Sequence, residues 1–208
     1  MKLFQFNGLL ALAAVAALSA TALSLQEKGK PTAPDKGQPA AKSDKDMEAK
    51  WKAYATPGEA HKVLDAKVGN WDIKMKCYMG AEPMESTATC ETKWSLDKHF
   101  LEDRATGTWM GQPFQGIGFT GYDNLKKKYV MSWLDNAATG IMYSEGTYDP
   151  ATKTFTYVGE CPDVMNGKYA RSRTVEKMID DKHWEMKSYG PGPDGNEMLT
   201  MEMQATKK

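Results

Sequence analysis

The sequence predicts an all-β protein, an up-and-down antiparallel barrel of about ten strands preceded by one or two short helices. Three observations predict it. From Gly69 onward, short runs rich in Val, Thr, Tyr, Phe and Trp alternate apolar with polar residues. Turn signals separate them at regular spacing, among them Tyr122-Asp123-Asn124, Asp149-Pro150 and Asn166-Gly167. Between these runs no stretch shows helical periodicity, which favours a meander over a mixed fold.

The N-terminus reads as export machinery. Met1-Lys2 supplies a positive start, Leu9 to Leu18 is an uninterrupted apolar run, and Ala20-Thr21-Ala22 offers small residues at a cleavage position. Residues 1–22 are therefore expected to be a cleaved signal peptide, and the mature protein periplasmic or secreted. The apolar run is well short of the roughly 20 residues that span a bilayer, so stable membrane insertion is not expected. Residues 23–45 are Lys, Pro, Ala, Gly and Asp with little apolar content, the composition of a disordered linker.

Residues 46–68 change character. Met47, Trp51 and Tyr54 recur at helical spacing, and Thr56-Pro57-Gly58-Glu59 reads as a capping box that opens a helix carrying Ala60, Val63 and Leu64. These pieces are expected to form a lid or plug on the barrel, which occupies residues 69–208. Its strands are expected at 71–79, 86–96, 100–110, 113–122, 129–135, 140–148 and 153–160, then up to 178, at 183–189 and at 196–206. Gly116, Gly118 and Gly121 inside the fourth strand mark bends or a close backbone approach.

Three cysteines cannot all pair within one chain. Cys77 and Cys90 sit on either side of the first hairpin loop. Pairing them directly would put Met75 opposite Thr92, Ile73 opposite Trp94 and Trp71 opposite Leu96, and would permit a disulfide. Two small buried thiols are the alternative. Cys161, before Pro162, is the expected free thiol.

Gly69-Asn70-Trp71 is similar to the Gly-x-Trp that opens the first lipocalin strand. The longer string resembles a bacterial domain-of-unknown-function family placed in the lipocalin-like, or calycin, superfamily. It runs through Gly111 to Gly118, Gly121 to Asn124, Lys127-Lys128-Tyr129 and Trp133-x-Asp135-Asn136, ending at Thr139-Gly140-Ile141. The resemblance covers Met47 to the C-terminus and implies a barrel with no assigned activity. It also implies that the Trp71 indole closes the barrel floor beneath an Arg from a late strand, a position Arg171 or Arg173 could fill through a cation–π stack.

Basic and acidic residues are equal at 27 each. No clustered basic face offers itself to nucleic acid, and no basic amphipathic helix to a membrane surface. A small apolar or amphipathic ligand inside the barrel is the expected partner. Tyr129, Met131, Trp133 and Asp135 share one face of their strand, as do Ile141, Tyr143, Glu145 and Thr147 of the next. If both faces point inward, Ile117, Phe119, Met131, Trp133 and Tyr143 line the cup, with Arg104, Asp135 and Glu145 as polar anchors.

Two rival functions share this architecture. A barrel enzyme of hydrolase or isomerase type would use cavity carboxylates; Glu102, Asp103 and Arg104 form another polar cluster, of which Glu102 and Arg104 could share the interior. A haem-binding barrel would need one inward histidine, His99 or His183. The spacing of His61, His99 and His183 implies no metal site, and no cofactor is implied. Fourteen methionines raise copper by softness, yet Met201 and Met203 alternate as core filler does.

Overall fold

Ten antiparallel strands close on themselves, each pairing with the next in the chain and the first with the last. They are β1 (Gly69–Cys77), β2 (Met84–Ser95), β3 (Phe100–Trp109), β4 (Gln112–Asp123), β5 (Lys128–Asp135), β6 (Met142–Asp149), β7 (Thr154–Asp163), β8 (Lys168–Met178), β9 (His183–Pro191) and β10 (Glu197–Lys207). Ahead of them come α1 (Asp44–Ala55), α2 (Glu59–Lys62) and a 3-10 turn (Val63–Lys67). This computed structural model describes residues 44–208 apart from Met79, Ala81 and Pro193. The expected signal peptide and nearly all of the expected linker lie outside the described residues.

Strict alternation builds the wall. In β1, Trp71, Ile73, Met75 and Cys77 are buried while Asn70, Asp72, Lys74 and Lys76 are exposed, as a sheet with one apolar face requires. The repeated Tyr-Asp turns work as side-chain caps. Asp123 Oδ1 accepts from the Leu125 and Lys126 amides, and Asp149 Oδ1 accepts from that of Ala151. Each turn then places a lysine, Lys127 or Lys153, at positive φ. The aromatics flanking these turns meet inside: Tyr129 packs edge-on against Tyr122 and Phe155, both at 5.0 Å, and Phe155 lies 4.5 Å from Tyr148.

Those aromatics form the floor on which the N-terminal plug sits. Leu64 is 0% exposed and packs with Leu101, Tyr129, Phe155 and Tyr157. Polar links from the barrel fasten it. Tyr129 Oη donates to the Ala60 carbonyl at 3.0 Å, Trp94 Nε1 to Asp65 at 2.7 Å, and Trp71 Nε1 to the Lys67 carbonyl at 2.9 Å. The plug is α2 and the 3-10 turn. α1 buries none of its residues and leaves Met47, Trp51 and Tyr54 exposed. Its C-terminal carbonyls are held by Asn124 Nδ2 and the His99 ring. The helix cap also differs from expectation: Gly58 rather than Thr56 is the N-cap, and its amide donates to His61 Nδ1.

The β1–β2 register overturns the expected disulfide. Cys90 faces Trp71, and Cys77 faces Met84. Cys90 lies six residues beyond Met84 along β2 (90 − 84 = 6), which places the two thiols roughly 20 Å apart along the strands. All three cysteines are free. The expected Arg partner of Trp71 is also corrected. Arg173 points outward, where it holds Glu197 and lies over the Tyr189 ring at 4.0 Å. Lys207, directly opposite Trp71 on β10, supplies the cation at 5.3 Å from the indole. Gly69 has φ +150°, and a Cβ there would overlap the Lys207 stem.

Trp71 is 1% exposed and meets the Trp184 ring edge-on at 6.2 Å. Trp71→Ala is expected to lower stability by about 3–5 kcal/mol in urea unfolding. A loss under about 1 kcal/mol would remove it from the closure of the floor.

Candidate functional site

Hairpins alternate between the barrel's two ends. The plug closes the end where β2–β3, β4–β5, β6–β7 and β8–β9 turn. Toward the other end, many inward positions are partly exposed: Phe114, Trp133, Met142, Ser172, Thr174, Ser188, Met201 and Met203 are half-buried, while Cys77 and Ser144 are buried. Inward residues at the plugged end, such as Leu101, Phe155, Tyr157 and Glu176, are buried. The interior is therefore a cup with a sealed floor and a reachable upper wall.

Charge sits at the floor. Lys67 Nζ donates to Glu176 Oε2 at 2.6 Å, with both side chains less than a tenth exposed. Asp103 lies close by and accepts from the Thr92 hydroxyl at 2.6 Å. Burial pulls the Lys67 ammonium down, but Glu176 and Asp103 together more than offset it and hold its pKa above the ordinary value. Burial pushes the Asp103 carboxyl up, against the pull of Lys67 and Thr92. Burial likewise pushes the neighbouring Cys90 thiol up to about 11. The Tyr157 hydroxyl, 0% exposed, has no hydrogen-bond partner among the described residues. Buried hydroxyls are nearly always paired, which sets Tyr157 apart from ordinary core packing.

One wall of the cup is built from a tryptophan laid across glycines. Trp133 spans the backbone of β4 so closely that a Cβ on Gly116 or Gly118 would overlap its indole. Phe114 stacks alongside at 6.5 Å, and Trp133 Nε1 donates to Asp135 Oδ2 at 2.8 Å. Asn136 closes the arrangement by bonding the Gln115 amide and the Pro113 carbonyl. The strand-four glycines thus serve close approach. The opposite wall is small and hydroxylated, with Thr174 and Ser188 in contact at 3.2 Å.

The sequence-expected site residues divide by face. Met131, Trp133 and Asp135 point into the barrel, on the side of buried Tyr129. Arg104, Ile117, Phe119, Tyr143 and Glu145 point outward, because Asp103, Gly116, Gly118, Ser144 and Gly146 hold the inward parity of their strands. Arg104 pairs with Glu102 on the outside, so the acid that enters from this strand is Asp103. Tyr143 and Glu145 flank an exterior groove of about 420 Å³ and are bound by Lys126. Neither haem candidate faces the cup: His99 bonds the Ala55 and Leu96 carbonyls, and His183 bonds Asp180. Sequence reasoning missed Lys67, Glu176 and Tyr157. Strand parity carried a signal for two of them, since Glu176 alternates with Met178, and Tyr157 with Phe155.

With this geometry the family match gains content. A family model, Protein of unknown function (DUF1579), matches residues 56–207. The chain belongs to that family. The match begins at the plug and ends with the last paired residue of β10, so plug and barrel together make up the family domain. No curated protein matches the sequence. Among solved structures, the chain is similar to a redesigned β-barrel at 13% identity and a TM-score of 0.37, over 74% of this chain and 99% of that one. Among the described residues no helix is long and apolar enough to cross a membrane.

Two outcomes test the floor. Glu176→Gln leaves the Lys67 ammonium unpaired and is expected to cost about 3–5 kcal/mol, whereas Lys67→Met with Glu176→Leu is expected to recover most of it. Equal losses in both variants would show that the pair itself is not the source. Asp103 binds its proton more tightly folded than unfolded, so by linkage its contribution to stability falls as pH rises above about 4. Asp103→Asn is expected to remove that fall, seen as a flatter urea midpoint against pH than in the unaltered protein; identical slopes would contradict it.

Proposed function

We propose that this domain is an exported binding protein that holds a small, partly apolar ligand in the cup. What supports the reading is the contrast between a sealed, charged floor with an unpartnered Tyr157 hydroxyl and an upper interior whose inward side chains remain accessible. Ligand sites combine apolar lining with a few fixed polar groups. Here Trp133, Met131 and Phe114 supply the apolar contact. Thr174, Ser188 and the Tyr157 hydroxyl supply polar positions at the side and floor. A ligand with an acceptor oxygen at one end would bond the Thr174 or Ser188 hydroxyl and leave its apolar body against Trp133.

Export rests on the Leu9 to Leu18 run and the small residues after it. Kinship with the lipocalin-like superfamily rests on Gly69-Asn70-Trp71 and on Trp71 sealing the floor. Asp103 favours a second reading. Burial raises its carboxyl, the state a general acid needs, so the cup could carry out proton transfer on a bound substrate.

The test uses a dansyl-labelled fatty acid. Binding is expected to brighten the dansyl group and to quench Trp133, and Ser172→Phe, which fills the cup from β8, is expected to abolish both with an unchanged far-ultraviolet spectrum. No binding, or equal binding by Ser172→Phe, would rule out the cup. Chemical change of a ligand retained from cell extract, lost in Asp103→Asn, would move the reading to the enzyme.

A further inference from the structure

We infer that the open half of the barrel holds a Cu(I) site built on Cys77 with Met84 and Met201. The register carries it. Cys77 sits between β2 and β10, directly opposite Met84 on one side and Met201 on the other. Directly opposed residues share a face, with Cβ atoms about 5 Å apart. Three sulfur side chains therefore stand in one row on the inner wall. One step toward the floor, Met75, Met203 and Met186 form a second row.

The ligand set chooses the metal. One thiolate with two thioethers is soft and suits Cu(I), while hard ions want carboxylates, and structural zinc wants several thiolates or imidazoles. Among the described residues no cluster of three or more His, Cys, Asp or Glu could hold a harder ion. Methionine is flexible enough to bring its sulfur to a metal from a neighbouring strand.

The charge balance agrees with the assignment. Cys77 is 2% exposed and unpaired in any disulfide. On binding, the S–H bond breaks, an S–Cu bond forms and the proton leaves to solvent; no electron is transferred. The product, Cu(I) with one thiolate and neutral thioethers, has no net charge. Burial in an apolar wall then carries no ionic penalty. Met84 also lines a pocket of about 280 Å³ at the rim, beside the β3–β4 turn. The assignment adjoins the ligand-binding wall of the cup, since Met201 opposes Ser188, but it does not depend on the ligand reading.

Reduced, metal-free protein titrated with Cu(I) against bathocuproine disulfonate tests it under anaerobic conditions. The protein is expected to withdraw one equivalent per chain and to develop thiolate-to-copper absorption in the near ultraviolet. Cys77→Ser is expected to abolish that absorption, and Met201→Leu, which conserves volume, to weaken binding at least roughly tenfold. Cys161→Ser is expected to leave both unchanged. Melting temperatures of the variants separate loss of metal from loss of fold. Failure to compete with the chelator, or full affinity in folded Cys77→Ser, would overturn the assignment.

Discussion

The pairing of β1 with β10 is the contact on which the interior depends. Trp71 opposite Lys207 and Cys77 opposite Met201 join the two ends of the sheet. Closure removes both sheet edges and leaves each strand one inward and one outward parity. Once β1 sets Trp71 and Ile73 inward, the ladder carries that choice around the barrel. It admits Asp103, Trp133, Tyr157 and Glu176 and turns Arg104, Tyr143 and Arg173 out. A slip of one residue at the seam would exchange the two sets.

The floor shows what sealing one end entails. The 3-10 turn leading into β1 buries Leu64 against the aromatics, and Lys67 at its end is more than nine-tenths buried. An unpaired ammonium there would cost several kcal/mol, so Glu176 meets it from β8. A methionine pair would close the space without that cost. Keeping ions, a raised Asp103 carboxyl and a bare Tyr157 hydroxyl at this depth departs from simple core packing, and such departures concentrate where a protein acts.

Much of the barrel was legible in the sequence. All ten strands appear with ends displaced by at most three residues, and the Tyr-Asp echo around Asp123 and Asp149 forms the expected turns. Facing was harder. On β6, Tyr143 and Glu145 resemble pocket residues, yet Ser144 and Gly146 take the interior because bulky Tyr157 and Met131 already fill the space across from them. The composition of β6 alone cannot reveal which parity its neighbouring strands crowd. The Cys77–Cys90 bridge failed for a related reason. A shift of six residues is even, so the same apolar set faces inward in either register, and only the short connection between Cys77 and Met84 decides. The floor cluster joins Lys67 to Glu176 across 109 positions, a separation no local pattern spans.

A cup sealed at the plug and open opposite it gives its three thiols different reach. Cys161 lies inward near the open rim, partly exposed, while Cys90 sits near the floor, buried beside Asp103. Labelling the native, metal-free protein with a small maleimide, followed by peptide mass analysis, reads this directly. The account predicts three free thiols in all, with Cys161 modified in the folded state and Cys90 only on global unfolding. Fewer than three thiols after denaturation, or Cys90 reacting as fast as Cys161 in the native protein, would contradict both the register and the sealed floor.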